Sequence, residues 1–114
     1  MSRHWGEETA KRYLLTKGYL ILKENYAIRG GEIDLIAQQN EVIVFIEVKQ
    51  RKQNSHGNAA ESISPQKLKR LTNTALHYLI STYGRDDLAM RFDAILISGT
   101  KERHRLEHLK NISL

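Results

Sequence analysis

The chain of 114 residues contains no cysteine. That excludes a disulfide framework, thiol catalysis and a cysteine-ligated zinc site. Long apolar runs are also missing. The longest uninterrupted one covers residues 42–46 (VIVFI), far short of the roughly 18 residues that a membrane span requires. The first residues carry Arg3, Glu7, Glu8, Lys11 and Arg12, a pattern unlike a signal peptide. Proline occurs once, at Pro65, and there is no internal repeat or low-complexity tract. What the chain has is positive charge: 18 Lys+Arg against 13 Asp+Glu, a net charge of +5 and a pI near 9.6. This balance favours anionic partners, nucleic acid or a membrane surface, without choosing between them. The excess is uneven, because residues 1–50 hold seven basic and seven acidic side chains and residues 51–114 hold eleven and six. The length suits a single domain spanning residues 1–114, and together these features predict a soluble, cytoplasmic, basic protein.

Periodicity predicts a helix over 2–17, where Ala10, Tyr13, Leu14 and Lys17 follow three/four spacing and Gly18 is a natural terminator. Residues 19–29 read as a strand that Gly30-Gly31 breaks, since consecutive glycines readily supply the positive φ of a tight turn. Two further strands, 32–38 and 42–50, flank the polar stretch at 38–41 and predict a hairpin. Residues 51–63 show no apolar periodicity and read as a long exposed loop of the kind that often carries function. Ser64 then caps a helix with Pro65 at its first position, and Leu68, Leu71, Ala75, Tyr78 and Leu79 form its apolar stripe. A strand at 91–98 follows, and residues 105–112 form a short strand or irregular tail. The order helix, three-strand meander, helix, strand, strand predicts an α/β fold, a mixed sheet with helices packed on it.

The chemistry concentrates in GEIDLI (31–36) and FIEVK (45–49). Alternation puts Glu32, Asp34 and Ile36 on one face of the first strand and Ile33, Leu35 and Ala37 on the other. On the second strand Val42, Val44, Ile46 and Val48 make one apolar face, while the opposite face runs Ile43, Phe45, Glu47, Lys49, Arg51. Such a strand is central and covered on both sides, so charges at its far end carry a desolvation cost. A hairpin turning about Asn40-Glu41 sets Asp34 opposite Glu47, with Cβ atoms about 5 Å apart. Two carboxylates at that distance repel by roughly 3 kcal/mol at an effective dielectric of 20, and Lys49 offsets only part of it. A hard divalent cation such as Mg²⁺ between them resolves the conflict, with the metal polarising a phosphate and the lysine orienting the nucleophile. The plain alternative is a structural ion-pair cluster in a sheet.

Asp34, twelve intervening residues and then Glu47-Val48-Lys49 resemble the PD-(D/E)XK nuclease motif in its D…ExK form. A longer pattern, GEETAKRYL (6–14), GYLIL (18–22), GEIDLIA (31–37), VFIEVKQR (44–51), SPQKLKRL (64–71) and RFDAILI (91–97), resembles the uncharacterised YraN-like bacterial family over nearly the whole chain. The resemblance implies a restriction-endonuclease-like fold related to Holliday-junction resolvases, and a Mg²⁺- or Mn²⁺-dependent endonuclease acting on DNA, including branched or non-duplex forms. It implies Asp34, Glu47 and the Val48 carbonyl as metal ligands and Lys49 as the residue that positions water. Glu7 in GEETA takes the place of a helix glutamate that related nucleases add to the metal site. Helical spacing supports the choice independently: Glu7 shares the inward stripe of Ala10 and Leu14, whereas Glu8 stands one turn from Arg12 on the outer side. Its alternative is a carboxylate favoured by the helix dipole.

Arg51, Lys52, Lys67 and Arg70, with Lys69, are candidates for a phosphate-binding rim, and the resemblance makes Lys67 the best of the helix cations. An ordinary solvated helix end is the competing reading. Glu32 reads as a supporting residue, Asp93 as structural and able to pair with Arg91 or a sheet lysine, and His56, His77, His104 and His108 as non-ligands. Resolvase relatives act as dimers because symmetrical cuts need two sites, but nothing in this sequence demands a homodimer. A non-catalytic nucleic-acid-binding or protein-recruiting module on the same fold is the rival function, and a nuclease acting on RNA would read the same.

Overall fold

A strand that is apolar on both faces must be covered on both faces, and β3 (Val42–Arg51) organises the fold for that reason. The computed structural model describes residues 5–51 and 64–112. Before β3 come α1 (Trp5–Thr16), β1 (Leu20–Ile28) and β2 (Gly31–Gln39); after it come α2 (Pro65–Tyr83), β4 (Met90–Gly99) and β5 (His104–Leu109). The five strands lie in one sheet in sequence order. All neighbours are antiparallel except β3 and β4, which run parallel, with α2 in the crossover between them. This is the mixed α/β architecture that the sequence predicts. The last segment resolves as a strand, because residues 104–109 continue the ladder along β4. Arg51 belongs to β3 and not to the loop expected at 51–63, since parallel pairing persists to Arg51 with Ser98. The rest of that loop and residues 2–4 of the expected first helix lie outside the described residues.

The helices cover opposite faces. Ala10 and Leu14 of α1 pack with Leu35, Ala37, Val44, Ile46, Ile95 and Ile97. Leu71, Ala75, Tyr78 and Leu79 of α2 pack with Ile36, Ile43 and Phe45. Each large aliphatic or aromatic side chain buried this way contributes roughly 1.5–3 kcal/mol. One expectation from alternation fails: Ile33 joins the α2-side core while Leu35 joins the α1-side core. The β2–β3 ladder ends at Leu35 with Ile46, and β2 is free to depart from strict alternation below that point.

The α2 start is well determined. Ser64 Oγ accepts from Lys67 N–H at 3.1 Å, Pro65 occupies the first position, and Gly84 ends the helix in the left-handed region at φ 75°. The two glycines of the β1–β2 turn have different reasons. Gly30 takes a positive φ of 94°, as expected, whereas Gly31 is a close-approach residue. A Cβ on Gly31 would lie 2.0 Å from Thr74 Oγ1 and 3.3 Å from the Arg70 carbonyl oxygen, so α2 rests directly on the start of β2.

On the α1 side a polar knot ties four elements together. Asp93, 1% exposed, accepts Arg91 Nε at 3.0 Å, Arg91 Nη2 at 3.2 Å, His108 Nε2 at 2.8 Å and Asn111 N–H at 2.9 Å. Tyr13 Oη meets His108 Nδ1 at 2.9 Å, and Arg91 Nη2 also donates to Tyr19 Oη at 2.8 Å and Gln39 Oε1 at 3.2 Å. The tautomer that satisfies every partner has the proton on His108 Nε2 and the Tyr13 hydroxyl donating to Nδ1. Asp93 therefore pairs with Arg91, as the sequence suggested, and His108 serves this knot. His104 instead packs its ring at a tilt against Trp5, and His77 Nδ1 lies 2.6 Å from Tyr26 Oη.

Removing Asp93 strands buried donors and a cation, so Asp93→Ala is expected to cost about 3–5 kcal/mol in urea unfolding. Burial acts to raise the Asp93 carboxyl, but the His108, Arg91 and Asn111 hydrogen bonds outweigh it and leave its pKa below the usual 3.8. Its stabilising effect is present above 3.8 and fades as pH falls through the depressed value, so Asp93→Asn should flatten the acid limb of the stability curve. Gly31→Ala is expected to cost about 1–3 kcal/mol, and adding Thr74→Ala should recover part of that loss, a coupling that a double-mutant cycle reads directly.

Candidate active site

Where the β2–β3 ladder stops, a side chain takes over. Val48 N–H donates to Asp34 Oδ2 at 2.8 Å in place of a backbone partner on β2. The N–H and C=O of one strand residue face the same neighbour, so the Val48 carbonyl also faces the Asp34 side. The register of 35–39 against 42–46 has the turn centre expected from the sequence, and it brings Asp34 beside Glu47. Glu47 is 8% exposed and level with Ala94 of β4.

The Glu47 carboxylate is held by two lysines. Lys67 Nζ of α2 forms a short ion pair with Oε2, and Lys49 Nζ lies 3.5 Å from the same oxygen. Burial raises the Asp34 carboxyl to about 7, and the charge of Glu47 adds to this; the Val48 N–H opposes it, and the charge of Glu7 raises it further. Burial and the adjacent Lys67 lower the Lys49 ammonium despite the pull of Glu47. Lys67 is also desolvated, but its bond to Glu47 outweighs that and raises its pKa. The site therefore contains a carboxyl short of countercharge beside a lysine that gives up its proton more readily than usual.

Two clefts meet here. The larger, about 910 Å³, includes Glu7, Asp34, Glu47, Val48 and Arg51 in its lining. The smaller, about 600 Å³, has Lys67 and Arg70 along its α2 side. Glu32, Asp34 and Glu47 line both. Glu7 thus comes to the carboxylate pair from α1, and Lys67 from α2. Glu8 and Lys69 are exposed on outer faces, and Lys52 lies outside the described residues. Several cleft residues were not singled out in the sequence. Trp5, Gln50 and the turn at 100–102 line the larger cleft, and Glu32 borders both clefts where the sequence suggested only a supporting place.

Among the described residues no three Asp, Glu or His side chains converge closely enough to cage an ion by themselves. Mg²⁺ does not need such a cage, because it is commonly held by one or two carboxylates together with waters and substrate phosphates. Asp34 has one oxygen beyond the Val48 bond and Glu47 one beyond the lysines, both hard donors in a pocket short of positive charge around Asp34. The residues present fit a hard divalent cation.

The profile of uncharacterised protein family UPF0102 matches residues 6–97. The chain belongs to this family. It is the YraN-like family that the sequence blocks resemble. A UPF0102 protein of Thermus thermophilus is 45% identical over 105 residues, covering 92% of this chain and 90% of its own. One from Dichelobacter nodosus is 44% identical over 108 residues, covering 95% and 85%. Among solved structures, a repair endonuclease from Pyrococcus abyssi aligns with a TM-score of 0.46 and 21% identity over 88% of this chain, which spans 40% of that enzyme's length.

Asp34→Asn keeps an oxygen to accept Val48 N–H and removes the charge. The Asp34 pKa is raised from 3.8 to about 7 by folding, so the native state is favoured below 3.8 and loses that advantage as pH rises toward 7. In divalent-free buffer Asp34→Asn should match the wild type near pH 4 and exceed its stability by on the order of 2 kcal/mol at pH 8, as followed by thermal unfolding across pH.

Proposed function

We propose that this family member is a metal-dependent endonuclease that hydrolyses DNA phosphodiester bonds. The observation that carries the reading is Asp34 beside Glu47 at the open end of the β2–β3 ladder, with Lys49 and Lys67 on the Glu47 carboxylate. Asp34, Glu47 and the Val48 carbonyl would hold Mg²⁺ or Mn²⁺, which would polarise the scissile phosphate and neutralise charge developing on it. Glu7 adds negative charge to the same cleft and reinforces the demand for a cation. Lys49, whose ammonium is desolvated, orients the attacking water toward phosphorus. Lys67 steadies Glu47 and, with Arg51 and Arg70 on the two clefts, holds the flanking phosphates. Such contacts carry no base information, so recognition follows DNA structure and not sequence. Branched and other non-duplex substrates are the class to test first.

A second reading has its own support. Lys67 already supplies a positive charge at Glu47, and the described residues form no complete cage, as suits a binding module in which a lysine has replaced the ion.

Cleavage of branched DNA under a Mg²⁺ or Mn²⁺ titration separates the two. The nuclease reading expects metal-dependent cleavage that falls by at least about 100-fold in Asp34→Ala and in Lys49→Ala. Equal DNA binding by wild type and Asp34→Ala, with no cleavage by either at any metal concentration, would favour the module. Arg51→Ala and Arg70→Ala should each reduce the slope of log affinity against log salt by about 1, with similar losses on unrelated sequences.

A further inference from the structure

The larger cleft has an aromatic side chain in its lining, Trp5, that phosphodiester hydrolysis alone does not call for. Trp5, the sole tryptophan of the chain, opens α1 two residues before Glu7. It packs partly against the α1-side core and lines the same cleft as Glu7, Asp34 and Glu47. The exposed His104 ring at the start of β5 lies 5.4 Å from the indole at an interplanar angle of 48°, so the two rings are tilted and not stacked flat. His104 Nδ1 lies 3.2 Å from the Lys101 carbonyl oxygen, which braces it against the β4–β5 turn. That turn brings Thr100, Lys101 and Glu102 to the cleft, and Arg51 supplies a second cation there.

An indole anchored by the core on one side and presented to a nuclease cleft on the other matches a stacking surface for a nucleobase. Base-on-aromatic stacking is worth about 1–3 kcal/mol and accepts any base. A base inside a duplex already has both faces covered by its neighbours, so only an unpaired nucleotide can offer one without the cost of unstacking. We propose that Trp5, braced by His104, is a stacking platform that selects unpaired nucleotides, so that the cleft takes single-stranded or splayed DNA in preference to continuous duplex. The proposal rests on the reading of this cleft as a nucleic-acid site, but it does not require cleavage.

The position of Trp5 makes the test direct, because the tryptophan fluorescence of the whole protein reports this one ring. In EDTA, where no cleavage occurs, the full chain is titrated with a short mixed-sequence single-stranded oligodeoxynucleotide and with the same strand annealed to its complement. Iodide accessibility of the indole is read in parallel. The single strand should quench Trp5, shield it from iodide and bind at least about tenfold more tightly than the duplex. By anisotropy of labelled DNA, Trp5→Ala should weaken single-strand binding by about 5- to 100-fold and leave duplex binding within about twofold, while Trp5→Phe retains most of the preference. His104→Ala leaves the core-packed indole in place and should reduce the preference by a smaller factor. Duplex binding by Trp5→Ala certifies that the variant is folded; if it is not, Trp5→Phe and His104→Ala with the wild-type quenching still decide. Binding of single strands with an unquenched, iodide-accessible Trp5 would overturn the platform and leave the nuclease reading intact, as would equal losses for both DNA forms. Failure to bind either form, both in EDTA and with Ca²⁺ supplied in its place, would overturn both.

Discussion

The hydrogen bond from Val48 N–H to Asp34 Oδ2 is the contact on which the site depends. It ends a β-ladder with a carboxylate in place of a backbone carbonyl. Because β2 gives up its pairing there, the edge of β3 below Ile46 is open to polar chemistry, and Asp34 is held against Glu47. Placing two carboxylates together in a half-buried setting is unfavourable unless cations approach. Lys49 comes from the same strand and Lys67 from the opposite layer, and both converge on one oxygen of Glu47. Asp34 is left with less compensation, so burial and then the neighbouring charge of Glu47 raise its carboxyl.

Both helices serve the sheet as packing layers and the site as contributors. The apolar stripe of α1 that buries Ala10 and Leu14 brings Glu7 to the cleft in the turn before them, and the first capped turn of α2 delivers Lys67. Behind the site, Asp93 pairs with Ile46 and Ala94 pairs with Glu47, so the polar knot lies one residue away from the candidate centre. Buried polar groups that are fully satisfied favour one arrangement of their neighbours over others. Asp93, Arg91, His108 and Tyr13 thereby hold β4, β5 and α1 in fixed relation to the strand that carries Glu47.

The carboxylate pair was legible because two local rules agree on it. The polar stretch at 38–41 sets the hairpin centre, and the alternation of β3 places Glu47 at the position level with Asp34, one step past the last ladder pair. The change of core by Ile33 was not legible, since it follows from a ladder that stops, and no residue type announces that. Glu7 could be separated from Glu8 by helical phase alone. The contact of Lys67 with Glu47 depends on how α2 is seated on the sheet, a tertiary variable that the spacing of Lys67, Lys69 and Arg70 does not encode. The place of Trp5 on the cleft was not legible, because two residues of helix set it about 200° in phase from Glu7. The hydrogen-bond partners of His108 lie on two other elements, α1 and β4, and sequence separation hid them.

Gly31 gives the site its vertical scale. With no side chain at that position, the interlayer gap between sheet and α2 is locally thin, and Thr74 and the Arg70 backbone settle into it. Lys67 stands one turn before Arg70, so the reach of its ammonium toward β3 is measured from this seat. In this molecule the missing methyl group acts as an electrostatic ruler: spacing between layers, more than the flexibility of a long side chain, decides where the positive charge falls.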